Sequence, residues 1–302
     1  GLDSYTLVVS NVDGIALYDK ESGRTLKSYE QREVALTTHI ALSPDGMIWA
    51  SGRKGVPFIF IFDKNLDLRH TIPFPEGSRI NGISSMGGLM YIATDQGLCR
   101  FDPGSRERVP LDQPFAKAEA LFASPSKDGT EMAVGYAGEG IYMTDGRSWE
   151  HIWTEETLSG EGQEVCYLSS GNIWISNGHR GFFYEVLDSD VKTYHLPGSE
   201  SIIGFFPTGE NGRIIATGTK NIHLFSLDSE KHQDITPSDI RPDQVITAAI
   251  FDPIYSYLWL TLSDGILRRY YFSGGELSAQ EEHNFARAHC LWVGKDGSLN
   301  MI

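Results

Sequence analysis

The sequence predicts an all-β fold built from a repeated unit, and three observations carry that prediction. The first is composition: 302 residues with 32 Gly, 13 Tyr, 15 Phe and 6 Trp, 40% hydrophobic and 22% charged. That is enough apolar material for a large core, in a usage that favours strands joined by tight turns. The second is a Gly, once an Asn, in a polar turn ahead of an apolar run. It recurs at Gly14, Gly55, Gly97, Gly140, Gly181, Asn221 and Gly265, in steps of 40 to 44 residues. The third is an apolar residue in the short strand before each turn: Val8, Trp49, Tyr91, Ala133, Trp174, Ile215 and Trp259. Seven four-stranded units of about 42 residues predict a seven-bladed β-propeller of four-stranded antiparallel blades.

Each unit reads a-b-c-d from inner to outer strand. Strand a is rich in small and apolar residues, as in THIALSPDG, NGISSMGG and ITAAIFDP. Ala41, Gly82, Ser84, Gly204, Ala248 and Ala249 suit an inner strand where neighbouring sheets converge. Strands b and c form the hairpin around the marker, whose Gly or Asn is expected to supply a positive φ. A polar turn that usually opens with Asp follows, then a more polar outer strand d such as RTLKSYE or LRHTIPF.

The ends are informative too. The first repeat begins at strand b, Thr6 to Ser10, and the last apolar segment, Ala288 to Val293, reads as a strand a that completes the first blade and closes the ring. Residues 1–302 are therefore expected to form one propeller. A surplus strand b, Ser298 to Ile302, implies a longer chain with a second propeller following.

Charge and cysteines exclude several classes. With 25 Lys+Arg against 40 Asp+Glu the formal charge is −15, a field that repels phosphate backbones and anionic lipid surfaces. No apolar run approaches the roughly 20 residues that span a bilayer. Cys99, Cys166 and Cys290 are widely spaced, with no CxxC and no paired histidines in zinc register. They read as buried apolar residues rather than disulfides or metal ligands.

The cores IWASGRKGVPFIFIFD, MYIATDQGLCRFD, NIWISNGHRGFFYEV and LWLTLSDGILRRYYF resemble the two-component regulator propeller repeat, whose pattern is roughly N-hydrophobic-W-hydrophobic-G-T-x-x-G-hydrophobic-x-R/K-Y/F-D. The resemblance spans essentially the whole chain and is loosest in the repeats holding Val134 and Ile215. Proteins of that family carry two seven-bladed propellers outside the inner membrane, then an immunoglobulin-like sandwich, a transmembrane helix and a histidine kinase or DNA-binding output. They typically respond to oligosaccharides. The resemblance thus implies a periplasmic ligand-sensing module of a bacterial signal-transduction regulator, with the second propeller, downstream domains and a homodimer partner as its protein contacts. Two alternatives stand beside it: a cytoplasmic scaffold similar to WD40 proteins, suggested by ALSPDGMIWASG, and a propeller hydrolase or lactonase. The WD40 likeness lacks any repeat with both Gly-His and Trp-Asp dipeptides.

Catalytic constellations are not found. No GxSxG, HExxH, P-loop or EF-hand loop is present, and Gly135-Tyr-Ala-Gly138-Glu-Gly140 lies in a hairpin at the wrong spacing for a dinucleotide site. The segment Thr144 to Trp149 is similar to an Asp-box but reads as a turn capped by Asp145. No enzyme activity, cofactor or metal is expected. In a propeller the d-to-a and b-to-c loops emerge on one face, so a ligand belongs there. Its candidate residues are Arg53, Lys54, Arg79, Asn81, Tyr136, His179, Arg180, Gln244, Arg287 and His289, with Asp95, Gln96 and Asp264 beside them. Such groups hydrogen-bond and stack on a sugar.

Overall fold

The structure is a computed structural model that describes residues 6–10, 13–19, 24–35, 37, 39–53, 55–126, 128–153, 165–167, 173–176, 182–187, 190–198, 201–208, 212–226, 231–252, 255–284 and 290–293. Among the described residues every regular element is a strand. The first three are β1 (Thr6–Ser10), β2 (Gly14–Asp19) and β3 (Thr25–Glu30). Sheet 2 is β4 (Ile40–Leu42), β5 (Ile48–Ser51), β6 (Phe58–Phe62) and β7 (Leu68–Pro73). Sheet 3 is β8 (Ile80–Met86), β9 (Leu89–Thr94), β10 (Gly97–Phe101) and β11 (Arg108–Val109). Sheet 4 is β12 (Ala120–Pro125), β13 (Met132–Tyr136), β14 (Gly140–Thr144) and β15 (Trp149–Trp153). Sheet 5 is β16 (Val165–Tyr167), β17 (Ile173–Ser176), β18 (Phe182–Leu187) and β19 (Asp190–His195). Sheet 6 is β20 (Ile202–Pro207), β21 (Arg213–Gly218), β22 (Ile222–Ser226) and β23 (Lys231–Asp234). Sheet 7 is β24 (Ile246–Asp252), β25 (Tyr257–Leu262), β26 (Ile266–Ser273) and β27 (Glu276–Asn284). Sheet 1 is completed by β28 (Cys290–Val293), which pairs antiparallel with β1, Leu7 opposite Val293 and Ser10 opposite Cys290.

All seven sheets have four antiparallel strands in the a-b-c-d order that the repeat predicts. Burial follows that order. The b strands β5, β13 and β17 are buried throughout, whereas β3 is almost wholly exposed and β23 entirely so. The first strands of successive sheets approach one another in sequence, from β4 through β8, β12, β16, β20 and β24 to β28, and β28 lies against β4. Between sheets the apolar faces close into clusters, one at each seam. Val8 and Leu17 meet Phe60 and Phe62 between sheets 1 and 2, and Trp259 and Ile250 meet Ala16 and Tyr18 between sheets 7 and 1.

The hairpin glycines behave as expected where they are described. Gly55, Gly97, Gly140 and Gly265 have φ between 85° and 111°. At Gly97 space is tight as well, since an added Cβ would lie 3.0 Å from the Ala116 carbonyl oxygen. Asn221 corrects the expectation. It is not among the positive-φ residues; its turn is held instead by Gly218 N–H donating to the Asn221 carbonyl (2.8 Å) and by its side-chain amide donating to the Pro197 carbonyl. Gly181 and the Ser298 to Ile302 segment lie outside the described residues.

One regularity has no counterpart in the sequence reading. Pairing of strand a with strand b slips at the same place in four sheets, between Ile80 and Gly82, Ala120 and Phe122, Ile202 and Gly204, and Ile246 and Ala248. The skipped residues are Asn81, Leu121, Ile203 and Thr247. Such shifts bend a strand and re-aim the extra side chain. Here they stand just inside the loop face.

Candidate functional site

The loop face is organised by a repeated backbone bond. The residue just beyond strand b donates its N–H to the carbonyl just before strand a: Asp95 to Arg79 (3.1 Å), Ala137 to Glu119 (2.9 Å), Thr219 to Ser201 (3.0 Å) and Ser263 to Val245 (2.8 Å). In sheet 2, Ser51 N–H reaches the His39 carbonyl at 2.9 Å. The b-to-c and d-to-a loops therefore do share a face. The bond makes His39, Arg79, Glu119, Ser201 and Val245 equivalent positions at the starts of the inner strands.

Two polar clusters stand on this face. In the first, Arg79 Nη2 donates to Glu119 Oε1 at 2.8 Å, and Asn81 Nδ2 donates to the same oxygen at 3.1 Å and to the Ala120 carbonyl at 2.9 Å. Asp95 Oδ1 accepts the Arg79 backbone N–H at 3.0 Å. Sheets 3 and 4 are thus tied through one carboxylate. In the second cluster, Gln244 Nε2 and Arg241 Nη2 both donate to Asp264 Oδ2, at 2.6 and 3.2 Å. Lys220, from sheet 6, donates to the Pro242 and Gln244 carbonyls at 3.1 and 3.2 Å. Burial pushes the Asp264 carboxyl up, but the Gln244 amide, the Ile266 N–H and the Arg241 guanidinium outweigh it and hold its pKa below the usual carboxylate value. Asp264 is an anion on this face, with two donors already on one oxygen.

Of the residues predicted to hold a ligand, Arg79 and Asn81 are brought together on Glu119. Arg53 is exposed, and its backbone N–H donates to the Glu33 carbonyl at 2.8 Å. Two placements differ from the expectation. Tyr136 has no exposure; it is packed edge-on against Phe115 and Tyr142, and its hydroxyl donates to Gln113 Oε1 at 3.1 Å. It is a core residue because its strand position points into the seam between sheets 3 and 4. Gln244 is 2% exposed, and its amide is spent on Asp264 and on the Arg241 N–H. Lys54, His179, Arg180, Arg287 and His289 lie outside the described residues. Glu119, Arg241 and Lys220 were missed. Glu119 could have been found, since it follows Arg79 at the repeat distance and also precedes an inner strand.

His39 adds a half-buried imidazole beside this face. Burial lowers its pKa to about 4, with the hydrogen bond to the Ile80 backbone acting in the opposite direction. On the loops between strands c and d, Asp145 caps its turn as predicted, accepting from the Arg147 and Ser148 N–H groups at 2.8 Å each. Those bonds hold its carboxyl below the usual range.

No protein-family model matches this sequence, and no curated protein matches it. Solved structures do resemble it. A catalytically inactive virginiamycin B lyase from Staphylococcus aureus, crystallised with quinupristin, matches at 13% identity and TM-score 0.65, over 86% of this chain and 93% of that one. A chain in the crystal structure of the mitotic checkpoint complex matches at 14% identity and TM-score 0.63, over 82% of this chain and 79% of that one. At such identities the likeness speaks to fold alone, and the fold this chain shares with them is an all-β repeat of the propeller kind.

Proposed function

We propose that the seven sheets are the blades of one seven-bladed β-propeller, closed where β28 and β1 share a blade, and that it serves as a non-catalytic ligand sensor. The cyclic succession of inner strands and of seam clusters supports the ring. The sensor is that of a periplasmic signal-transduction regulator that responds to oligosaccharides from polysaccharide breakdown, a reading supported by the resemblance of the repeat cores. One observation carries the sensing role: the polar groups of the loop face are shared between neighbouring sheets, with Glu119 of sheet 4 holding Arg79 and Asn81 of sheet 3. Sugar hydroxyls are both donors and acceptors and can replace such partners. A ligand that takes over one of these bonds changes the tie between two sheets, and differential contact of that kind biases one arrangement over another. The acidic surface disfavours polyanionic ligands and leaves neutral glycans as the better match.

The test is a thermal-shift screen of the chain against neutral oligosaccharides. One structural class should raise the Tm saturably, and Arg79→Ala should reduce the effect at least about tenfold in apparent affinity, the loss expected of a charge-assisted hydrogen bond. No shift with any oligosaccharide, in this chain or in one extended at its C-terminus, overturns the sensor reading. The likeness to a chain of the mitotic checkpoint complex favours a second reading, a protein-interaction scaffold. A stoichiometric protein partner without any glycan response would establish that one.

A further inference from the structure

Sheet 6 carries an anomaly that the loop face does not use. His223, on β22, is 5% exposed, and among the described residues neither of its ring nitrogens has a hydrogen-bond partner. Buried polar groups are nearly always satisfied, and an exception needs a physical account, of which a bound ion is one. Across the strand pair, His223 stands opposite Asp234 and Phe225 stands opposite His232. The two imidazole centres are 5.3 Å apart, and His232 is stacked on Phe225 at 5.2 Å. Asp234 uses Oδ1 to accept the Thr236 N–H at 2.8 Å. Its Oδ2 has no partner among the described residues. Because side chains alternate along a strand, His232 and Asp234 share one face of β23, and Lys231 points to the other.

We propose that His223 and His232 form a binding site for one divalent transition-metal ion of the zinc class, with Asp234 supplying the nearby negative charge and water completing the shell. Zinc–imidazole bonds of about 2.0–2.1 Å at a tetrahedral angle place two ring centres about 5 Å apart, which is the separation here. The chemistry agrees, since a neutral imidazole is the competent ligand and burial lowers the His223 pKa. Asp234 and the chain's overall acidity draw a cation in. No group of three or more His, Cys, Asp or Glu side chains is already gathered round a metal position among the described residues. The site is thus a two-imidazole clamp, open to solvent through the exposed His232. It is independent of the oligosaccharide reading.

Calorimetric titration of the untagged chain with Zn2+ near neutral pH tests it, with Co2+ as a spectroscopic probe. One ion should bind per chain, raise the Tm, and perturb the imidazole nitrogen resonances of both histidines. His232→Ala, at an exposed position that leaves the core intact, should weaken binding at least about tenfold. Asp234→Asn should weaken it less, and His151→Ala, on sheet 4, should leave it unchanged. Absence of saturable binding, or binding that His232→Ala does not alter, overturns the proposal and leaves an ordered water as the partner of His223.

Discussion

His39 shows how a single half-buried side chain makes the whole fold depend on pH. Its pKa falls from 6.5 in the unfolded chain to about 4 in the fold. Above pH 6.5 the ring is neutral in both states and the linkage is silent. As pH drops from there toward 4, the unfolded chain takes up the proton first, so stability is lost by up to about 1.4 kcal/mol per unit. Water at the partly open ring reduces that slope. Urea unfolding from about pH 7 down to pH 4.5 should therefore show a steeper decline in the native chain than in His39→Gln. Parallel declines would show that His39 is not held neutral. Tyr136 and Gln244 teach the complementary lesson at this scale. Their side chains have the polar character of ligand contacts, yet the fold consumes both, one in an aromatic cluster and one on Asp264.

Among the elements, the b strand sets how sheets meet. Trp49, Trp174 and Trp259 occupy equivalent places on β5, β17 and β25 and are 0 to 1% exposed. Each faces the next sheet: Trp49 packs on Ile83 and Phe101, Trp174 on Phe205 and Phe225, and Trp259 beside Ala16 and Tyr18. Replacing any of the three by Ala should cost on the order of 3–5 kcal/mol in denaturant unfolding. A cost below about 1 kcal/mol at any one would mean that its seam is not packed as described. Spacing and residue type made these tryptophans legible in the sequence, because a large apolar residue recurring at one strand position has to be buried by whatever stacks on it. The register slip at the starts of β8, β12, β20 and β24 was not legible. It depends on how one strand meets the next, and no residue type marks it, since Asn81, Leu121, Ile203 and Thr247 have little in common.

For the molecule as a whole, the pairing of β28 with β1 joins Leu7 to Val293 and Ser10 to Cys290, residues at opposite ends of the chain. If that pairing closes the ring, deleting residues 285–302 exposes the edge of β1 and the seams on either side of sheet 1. Loss of a single cooperative transition, or a Tm lowered by well over about 5 °C, is the expected result. An unchanged Tm would show that the ends do not hold the fold together.

By itself the sequence determined the number of units, their strand order and the outward position of strand d. Those are local properties, written in turn residues and alternating burial within about 42 residues of chain. Tertiary structure alone decided which polar groups meet. Arg79 and Glu119 are 40 residues apart and His223 and His232 are 9, distances at which composition carries no signal of contact. Only the stacking of one sheet on the next, and the pairing of one strand with its neighbour, brings such groups within bonding range.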